Sequence, residues 1–314
     1  MSILIGLPDD DMLARLASEV EAKISDDVEL AVWRVGDEPL DRRIDLLVIP
    51  YVTSYGFLAE LDPAHVSVVQ SQSLGHDGAA DVVPDGVKFC NAVGVHEAPT
   101  AELALTLVLA SQRGWPEIGN NQAAEKWERP VFPGLIGRHV LLIGVGGIGR
   151  EVEARLSGFG AILTRVARTA RDDERGPAHG PIHGIDELPE LLPAADIVIL
   201  AVPLSDETRG LVDDAFLTLL PAGALVVNVS RGPIVDTDAL VEHVRSGHVR
   251  SALDVVDPEP LPARHPLWSL PGSLISPHLG GNVQSMKDRI DPLVLEQIGH
   301  LRAGRSPINI VIGK

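Results

Sequence analysis

The sequence predicts an α/β chain of two doubly wound parallel-sheet domains. Three observations carry this. Short β-rich runs alternate with helix-like segments almost throughout, the pattern of βαβ units. In the second half most of the β runs are continuous β-branched or leucine runs, as expected of strands covered on both faces. One of them, HVLLI at 139–143, leads into a glycine turn and then a helix, GVGGIGREVEARL. At 314 residues, without an obvious internal repeat, the chain is long enough for two domains of ordinary size.

In chain order, residues 2–6, 44–49, 66–70 and 87–90 read as strands, with a helix over 10–22. Residues 98–113 form a helix that is apolar nearly all round, so it should be buried at a domain or subunit interface. A second strand set follows at 139–143, 162–166, 196–201, 224–229, 251–255 and 274–276. The last long helix, 283–301, contains Pro292, which should kink or split it, and the tail 308–313 reads as extended. The crossings near 93–99 and 280–283 are short. They predict one domain from 1–97 plus 283–314, a second from 98–282, and a hinged cleft between them, a favoured place for a ligand.

Composition removes several classes. The chain is 45% apolar and 22% charged, with net charge −18. An acidic surface repels phosphate backbones, so no nucleic-acid partner is expected. The lone Cys90 has no intrachain partner and reads as a small buried apolar residue. The N-terminus lacks a basic region and a long apolar stretch, so no signal peptide is expected. The apolar stretch 103–110 is too short to span a bilayer, which needs about 20 residues. The expectation is a cytoplasmic protein without a membrane partner. His179 and His183 are four apart, but Gly180, Pro181 and Gly184 argue for a loop rather than a helix face, so no metal site is expected.

The glycine turn is the clearest ligand signal. Gly144 makes the tight turn, Gly146 lets backbone approach a pyrophosphate, and Gly149 lets helix and strand pack closely. Gly147 and Ile148 open the helix, whose N-terminus offers N–H groups and a positive dipole end. The bland alternative is a glycine-rich turn with no ligand. About 20 residues on, where NAD-preferring proteins carry a carboxylate for the ribose 2′-hydroxyl, this chain has Ala167, followed by Arg168, Thr169 and Arg171. Arginine pairs with the 2′-phosphate that a carboxylate would repel, so NADP(H) is favoured and NAD(H) stays possible. The alternative is that these arginines are solvated and that Asp172 or Asp173 turns inward to take NAD.

Downstream lie a cation, a carboxylate and an imidazole: Arg231 in NVSRGPIVD, Glu259 in VDPEPLP and His278 in ISPHLGG. Hydride transfer to or from a 2-oxo or 2-hydroxy acid calls for these groups. With SLGHDGAAD at 73–81, PTAELALTLVLA at 99–110, GVGGIG at 144–149, AVPLSDETRGLV at 201–212 and ALDVVDPEPL at 252–261, the chain resembles the D-isomer-specific 2-hydroxyacid dehydrogenase family over most of its length.

The resemblance implies an N-terminal substrate domain completed by the C-terminal helix, with the coenzyme domain inserted. Arg231 would hold the substrate carboxylate and polarise its carbonyl. His278 would be the acid in reduction and the base in oxidation, with Glu259 orienting it and favouring its charged form. Pro203, Thr208 and Val229 would line the cofactor. Asp254 would face the nicotinamide carboxamide, with a purely structural acceptor role as its rival. Leu74 and Gly75 would offer backbone N–H groups to the substrate, with Tyr51 and Val52 beside it. A carboxylate at Glu259 argues against the formate-oxidising branch, where a glutamine stands. The chain ends soon after its last helix, so a serine-feedback domain is not expected. The pattern most resembles glyoxylate/hydroxypyruvate reductases. The family usually dimerises through the coenzyme domain, and the helix near Ala101 with the stretch 112–133, including Trp115 and Trp127, could supply a homodimer interface. Two other readings stay open: the same fold acting on phosphoglycerate or phosphite, and a non-catalytic dinucleotide-sensing protein.

Overall fold

The computed structural model describes residues 2–23, 27–38, 40–52, 54–173 and 180–313, which divide into two units, 1–96 with 284–314 and 97–283. The first unit begins with β1 (Ile3–Leu7), α1 (Asp10–Lys23), β2 (Val28–Val32), β3 (Leu46–Val48), β4 (Val68–Gln70) and β5 (Lys88–Cys90). The α1 start is set by Asp9, whose carboxylate accepts from Met12 N at 2.8 Å, with Asp10 and Asp11 in the positive first turn.

The second unit holds α2 (Glu97–Gln112), α3 (Trp115–Ala123), β6 (His139–Ile143), α4 (Gly147–Leu156), β7 (Ile162–Ala167), β8 (Arg171–Asp173) and β9 (Gly180–Gly184). It continues with α5 (Leu188–Leu191), β10 (Ile197–Leu200), α6 (Asp214–Leu219), β11 (Ala224–Asn228), α7 (Thr237–Arg245), β12 (Val249–Leu253) and β13 (Ser273–Ile275). Its sheet runs β13-β12-β11-β10-β6-β7-β9-β8, parallel except for β8. Each face of the sheet carries its own apolar cluster, one around Leu141, Val198 and Val226, the other around Leu142, Ile199 and Val227. That two-sided burial is why β6, β10 and β11 read as unbroken apolar runs. The strand order reverses at β6, and in open α/β sheets a ligand binds beyond the strand ends at such a switch point.

The chain then returns to the first unit as α8 (Lys287–Arg302) and β14 (Ile310–Ile312), completing a sheet of order β14-β5-β4-β3-β1-β2, parallel except for β14. Ile290, Val294 and Ile298 of α8 join Ile5, Leu16 and Leu46 in one apolar cluster. A buried amide relay ties the tail down: Gln297 donates to Gln70 Oε1 at 2.9 Å and accepts from Ile308 N at 2.8 Å. Cys90 is buried as expected, and that burial pushes its thiol up to about 12.

The fold class is as predicted, with three corrections. Residues 28–32 form an edge strand that the sequence reading missed, because its pattern VELAV pairs on one side only. Residues 180–184, expected as a loop, form β9, and β8 folds back against it. Sheet pairing there overrides the Gly and Pro signals. His183 lies in β9 with its Nδ1 2.7 Å from Glu187, and His179 lies outside the described residues. Of the kink or split expected at Pro292, the split does not occur: α8 runs through it from Lys287 to Arg302. Among the described residues no helix is long and apolar enough to cross a membrane, and no group of three or more His, Cys, Asp or Glu is arranged to hold a metal.

Candidate active site

The glycine turn lies at the C-terminal end of β6. Gly144 has φ 108°, and a Cβ there would fall 2.2 Å from Ala201 O. A Cβ on Gly149 would fall 2.0 Å from Gly144 O, so the helix can approach the strand only with glycine here. At Gly146 the reverse holds: the space a Cβ would occupy is open, and the residue caps α4 with no side chain on the helix N-terminus. Gly147 lies under the Glu97 side chain, and Ile148 follows in the first turn of α4. Open space, uncapped N–H groups and a positive helix end together fit a pyrophosphate.

The next strand, β7, ends at Ala167, and Arg168 just beyond it pairs with Glu207, Nε to Oε2 2.8 Å, both side chains well exposed. Thr169 O accepts from Arg171 Nη1 at 3.2 Å. Asp173 is buried and pairs with Arg150 at 3.5 Å, while Asp172 is exposed in β8. Across β6, Thr208 is buried and closes its own turn, donating to Pro203 O at 2.8 Å and accepting from Ser205 N at 2.8 Å. Val229 is buried after β11.

Arg231, Glu259 and His278 are brought together. His278 Nδ1 stands 2.5 Å from Glu259 Oε1, which leaves Nε2 for another partner. This hydrogen bond is the main cause holding the His278 pKa above its ordinary value; burial opposes it, the charges of Glu259 and Asp254 assist, and the nearby Arg231 charge opposes. Arg231 follows β11 in extended backbone, with its own carbonyl accepting from Asn228 Nδ2 at 2.9 Å and its Nη1 donating to Ser230 O at 2.6 Å. Gly232 cannot carry a side chain, because its Cβ would fall 1.9 Å from Val256 O.

His278 has φ 55°, in the left-handed region that L residues enter at a cost of about 1–3 kcal/mol. What holds it there is Asp254. Its backbone oxygen accepts from His278 N at 2.8 Å. Its carboxylate, 3% exposed with its residue, accepts from Ser276 Oγ at 2.8 Å, Leu279 N at 2.7 Å and Gly280 N at 3.0 Å. Of the two roles weighed for Asp254, this geometry supports the structural acceptor, because three of its roughly four lone-pair sites are taken by the histidine loop.

In the first unit, Leu74 and Gly75 follow β4. Their carbonyls accept from Asn91 Nδ2 at 2.8 Å and Tyr55 OH at 2.5 Å, and their N–H groups have no partner among the described residues. Tyr51 stacks on His96 with centroids 5.3 Å apart, and Val52 O accepts from Ser73 Oγ at 2.6 Å. The sequence reading missed Asn228, Ser276 and Glu207. Asn228 had a visible signal, an amide at a strand end where such side chains organise turns; Ser276 and Glu207 act on residues distant in sequence and left none.

Residues 105–280 match the family model described as D-isomer specific 2-hydroxyacid dehydrogenase, NAD binding domain. This chain belongs to that family. Among relatives of this chain, D-3-phosphoglycerate dehydrogenase of Mycobacterium leprae is 37% identical over 224 residues, 70% of this chain and 41% of the relative, so the match spans well under half of that protein. Glyoxylate reductase of Korarchaeum cryptofilum is 28% identical over 92% of this chain and 91% of its own. A D-isomer specific 2-hydroxyacid dehydrogenase from Xanthobacter autotrophicus, solved with NADPH and MES, superposes with TM-score 0.81 at 27% identity, covering 99% of this chain and 98% of that one. The matched family model is that of an NAD binding domain, and the glycine turn at 144–149 falls inside it.

Proposed function

We propose that this dehydrogenase reduces a small 2-oxo acid of the glyoxylate or hydroxypyruvate type to its 2-hydroxy acid, with NADP(H) preferred over NAD(H). The observation that carries the reading is the His278–Glu259 pair beside Arg231. An imidazole with a raised pKa keeps its proton to higher pH, which suits proton donation, and hence reduction, near neutrality.

The bound nicotinamide would supply the hydride to C2. Gly144, Gly146, Gly147, Ile148 and Gly149 would hold its pyrophosphate, Arg168 and Thr169 its 2′-phosphate edge, and Pro203, Thr208 and Val229 its flank. The remaining acceptor capacity of Asp254 is available to a carboxamide. Arg231 would clamp the substrate carboxylate and polarise the C2 carbonyl. As negative charge develops on that oxygen, the His278 Nε2–H bond breaks and an O–H bond forms, leaving neutral imidazole held by Glu259. Leu74 and Gly75, whose N–H groups have no partner among the described residues, are proposed as further carboxylate donors, and Tyr51 and Val52 as neighbours of the substrate.

A second reading, reduction of the phosphoglycerate-derived 2-oxo acid, is favoured by the 37% identity to a D-3-phosphoglycerate dehydrogenase. Steady-state kcat/KM on glyoxylate, hydroxypyruvate, pyruvate and 3-phosphohydroxypyruvate, each with NADPH and NADH, separates the two. A preference for the phosphorylated acid would replace the first reading, and turnover of none would leave a dinucleotide-sensing protein. A cytoplasmic homodimer is part of the proposal. Trp115, Trp127, Val131 and Ile136, all exposed on α3 and the segment after it, support a second copy as partner, and sedimentation of the intact protein tests it.

A further inference from the structure

We propose that Glu207 is a specificity-determining residue: it competes with the 2′-phosphate of NADP(H) for Arg168 and so narrows this chain's preference over NAD(H). The inference rests on the reading that Arg168 takes that phosphate. At the end of β7 the usual place for a ribose carboxylate is Ala167, and neither of the two acids that follow is paired with Arg168. Asp173 is buried against Arg150, and Asp172 is exposed on β8. The carboxylate that reaches Arg168 comes instead from the loop after β10, where Glu207 Oε2 lies 2.8 Å from Arg168 Nε.

In the sheet, β10 and β7 flank β6, so their ends stand about 9–10 Å apart, two strand spacings. The pair therefore reaches across the end of β6, above the glycine turn that starts at Gly144. The base of Glu207 is fixed, because Thr208 locks its turn through Pro203 O and Ser205 N, while its carboxylate is 62% exposed at the side-chain level. Such an exposed pair is weak, so a dianionic phosphate can displace it; but the displaced carboxylate stays anchored nearby and repels the phosphate. With a ribose 2′-hydroxyl in place of the phosphate, neither effect operates.

The test is calorimetric binding of 2′,5′-ADP and 5′-AMP to the intact wild type, Glu207→Gln and Arg168→Ala. Neither fragment can be turned over. Glu207→Gln should bind 2′,5′-ADP about three- to tenfold more tightly, with 5′-AMP affinity changed less than twofold. Arg168→Ala should lose at least tenfold in 2′,5′-ADP affinity alone. An unchanged ratio in Glu207→Gln, with Arg168→Ala still impaired, overturns the competition and leaves the cofactor reading standing. Weaker 5′-AMP binding by Glu207→Gln also overturns it, by assigning the carboxylate to the ribose hydroxyl. No loss in Arg168→Ala removes both the cofactor reading and the inference. Thermal melts of each variant check folding, which two exposed side chains should not affect.

Discussion

The two ends of the candidate site in the second unit are built differently. At the His278 end, a buried carboxylate takes three hydrogen bonds from one short loop and holds a residue in left-handed backbone. At the Arg168 end, two long side chains meet in solvent with 74% and 62% of their surface exposed. In the proposed function the first arrangement would fix the proton donor, because a displacement near 1 Å can cost about a hundredfold in rate. The second would set affinity for one phosphate, where a weak and replaceable contact suffices. On the proposed function, chemistry is tied to buried geometry and cofactor choice is left to surface charge.

The comparison breaks first at His278. His278→Ala should lower kcat by roughly 10²–10⁴-fold while dinucleotide binding, read by fluorescence titration, persists. Near-normal turnover would mean that the acid/base group lies elsewhere. Asp254→Asn comes next. It keeps the shape but sets an amide against Leu279 N or Gly280 N, leaving at least one buried donor unsatisfied. Turnover should fall roughly 10–100-fold and the melting temperature should drop. A variant with wild-type melting and rate would show that the loop is held by something other than this carboxylate.

Glu259→Gln should act mostly through pH. The native pair raises the His278 pKa, so reduction, which needs the imidazolium, persists above the ordinary imidazole range and fails as pH rises through the raised value. Removing the carboxylate deletes the largest raising cause and the Glu259 charge, and leaves burial and Arg231, which lower, against Asp254, which raises. The alkaline limb of the reductive kcat/KM profile should shift to lower pH, with a loss of about tenfold at neutral pH. A limb that stays in place would assign it to another group.

This contrast also explains what was legible in the sequence. The glycine turn, the buried strands and the Arg231, Glu259 and His278 motifs could be read because each is local: a strand end and the turn after it dictate the residue type. The role of Asp254 was half legible, since burial at a strand end shows but its partners, 22 to 26 residues on, do not. Glu207 was illegible, because its meaning depends on which strands the sheet places side by side. The β8–β9 pair was missed for the same reason, its Asp, Gly and Pro content pointing to a loop until pairing with β7 supplies partners.

The smallest expected effect separates the two ends most directly. Salt screens exposed charges over a Debye length that shrinks from about 10 Å at 0.1 M to about 3 Å at 1 M, and affects close, partly buried pairs much less. Raising ionic strength across that range weakens the attraction of Arg168 for a 2′-phosphate more than it relieves repulsion by Glu207, since the guanidinium is the nearer charge. The pyrophosphate is common to both cofactors and cancels in a ratio. The Kd for NADPH relative to NADH should therefore rise by a few-fold, while the alkaline limb set by His278 and Glu259, only 2.5 Å apart, stays within a few tenths of a pH unit. If the limb moved as far as the ratio, the histidine end would be as open to screening as the arginine end, and the distinction between buried geometry and surface charge would fail at the place it matters most.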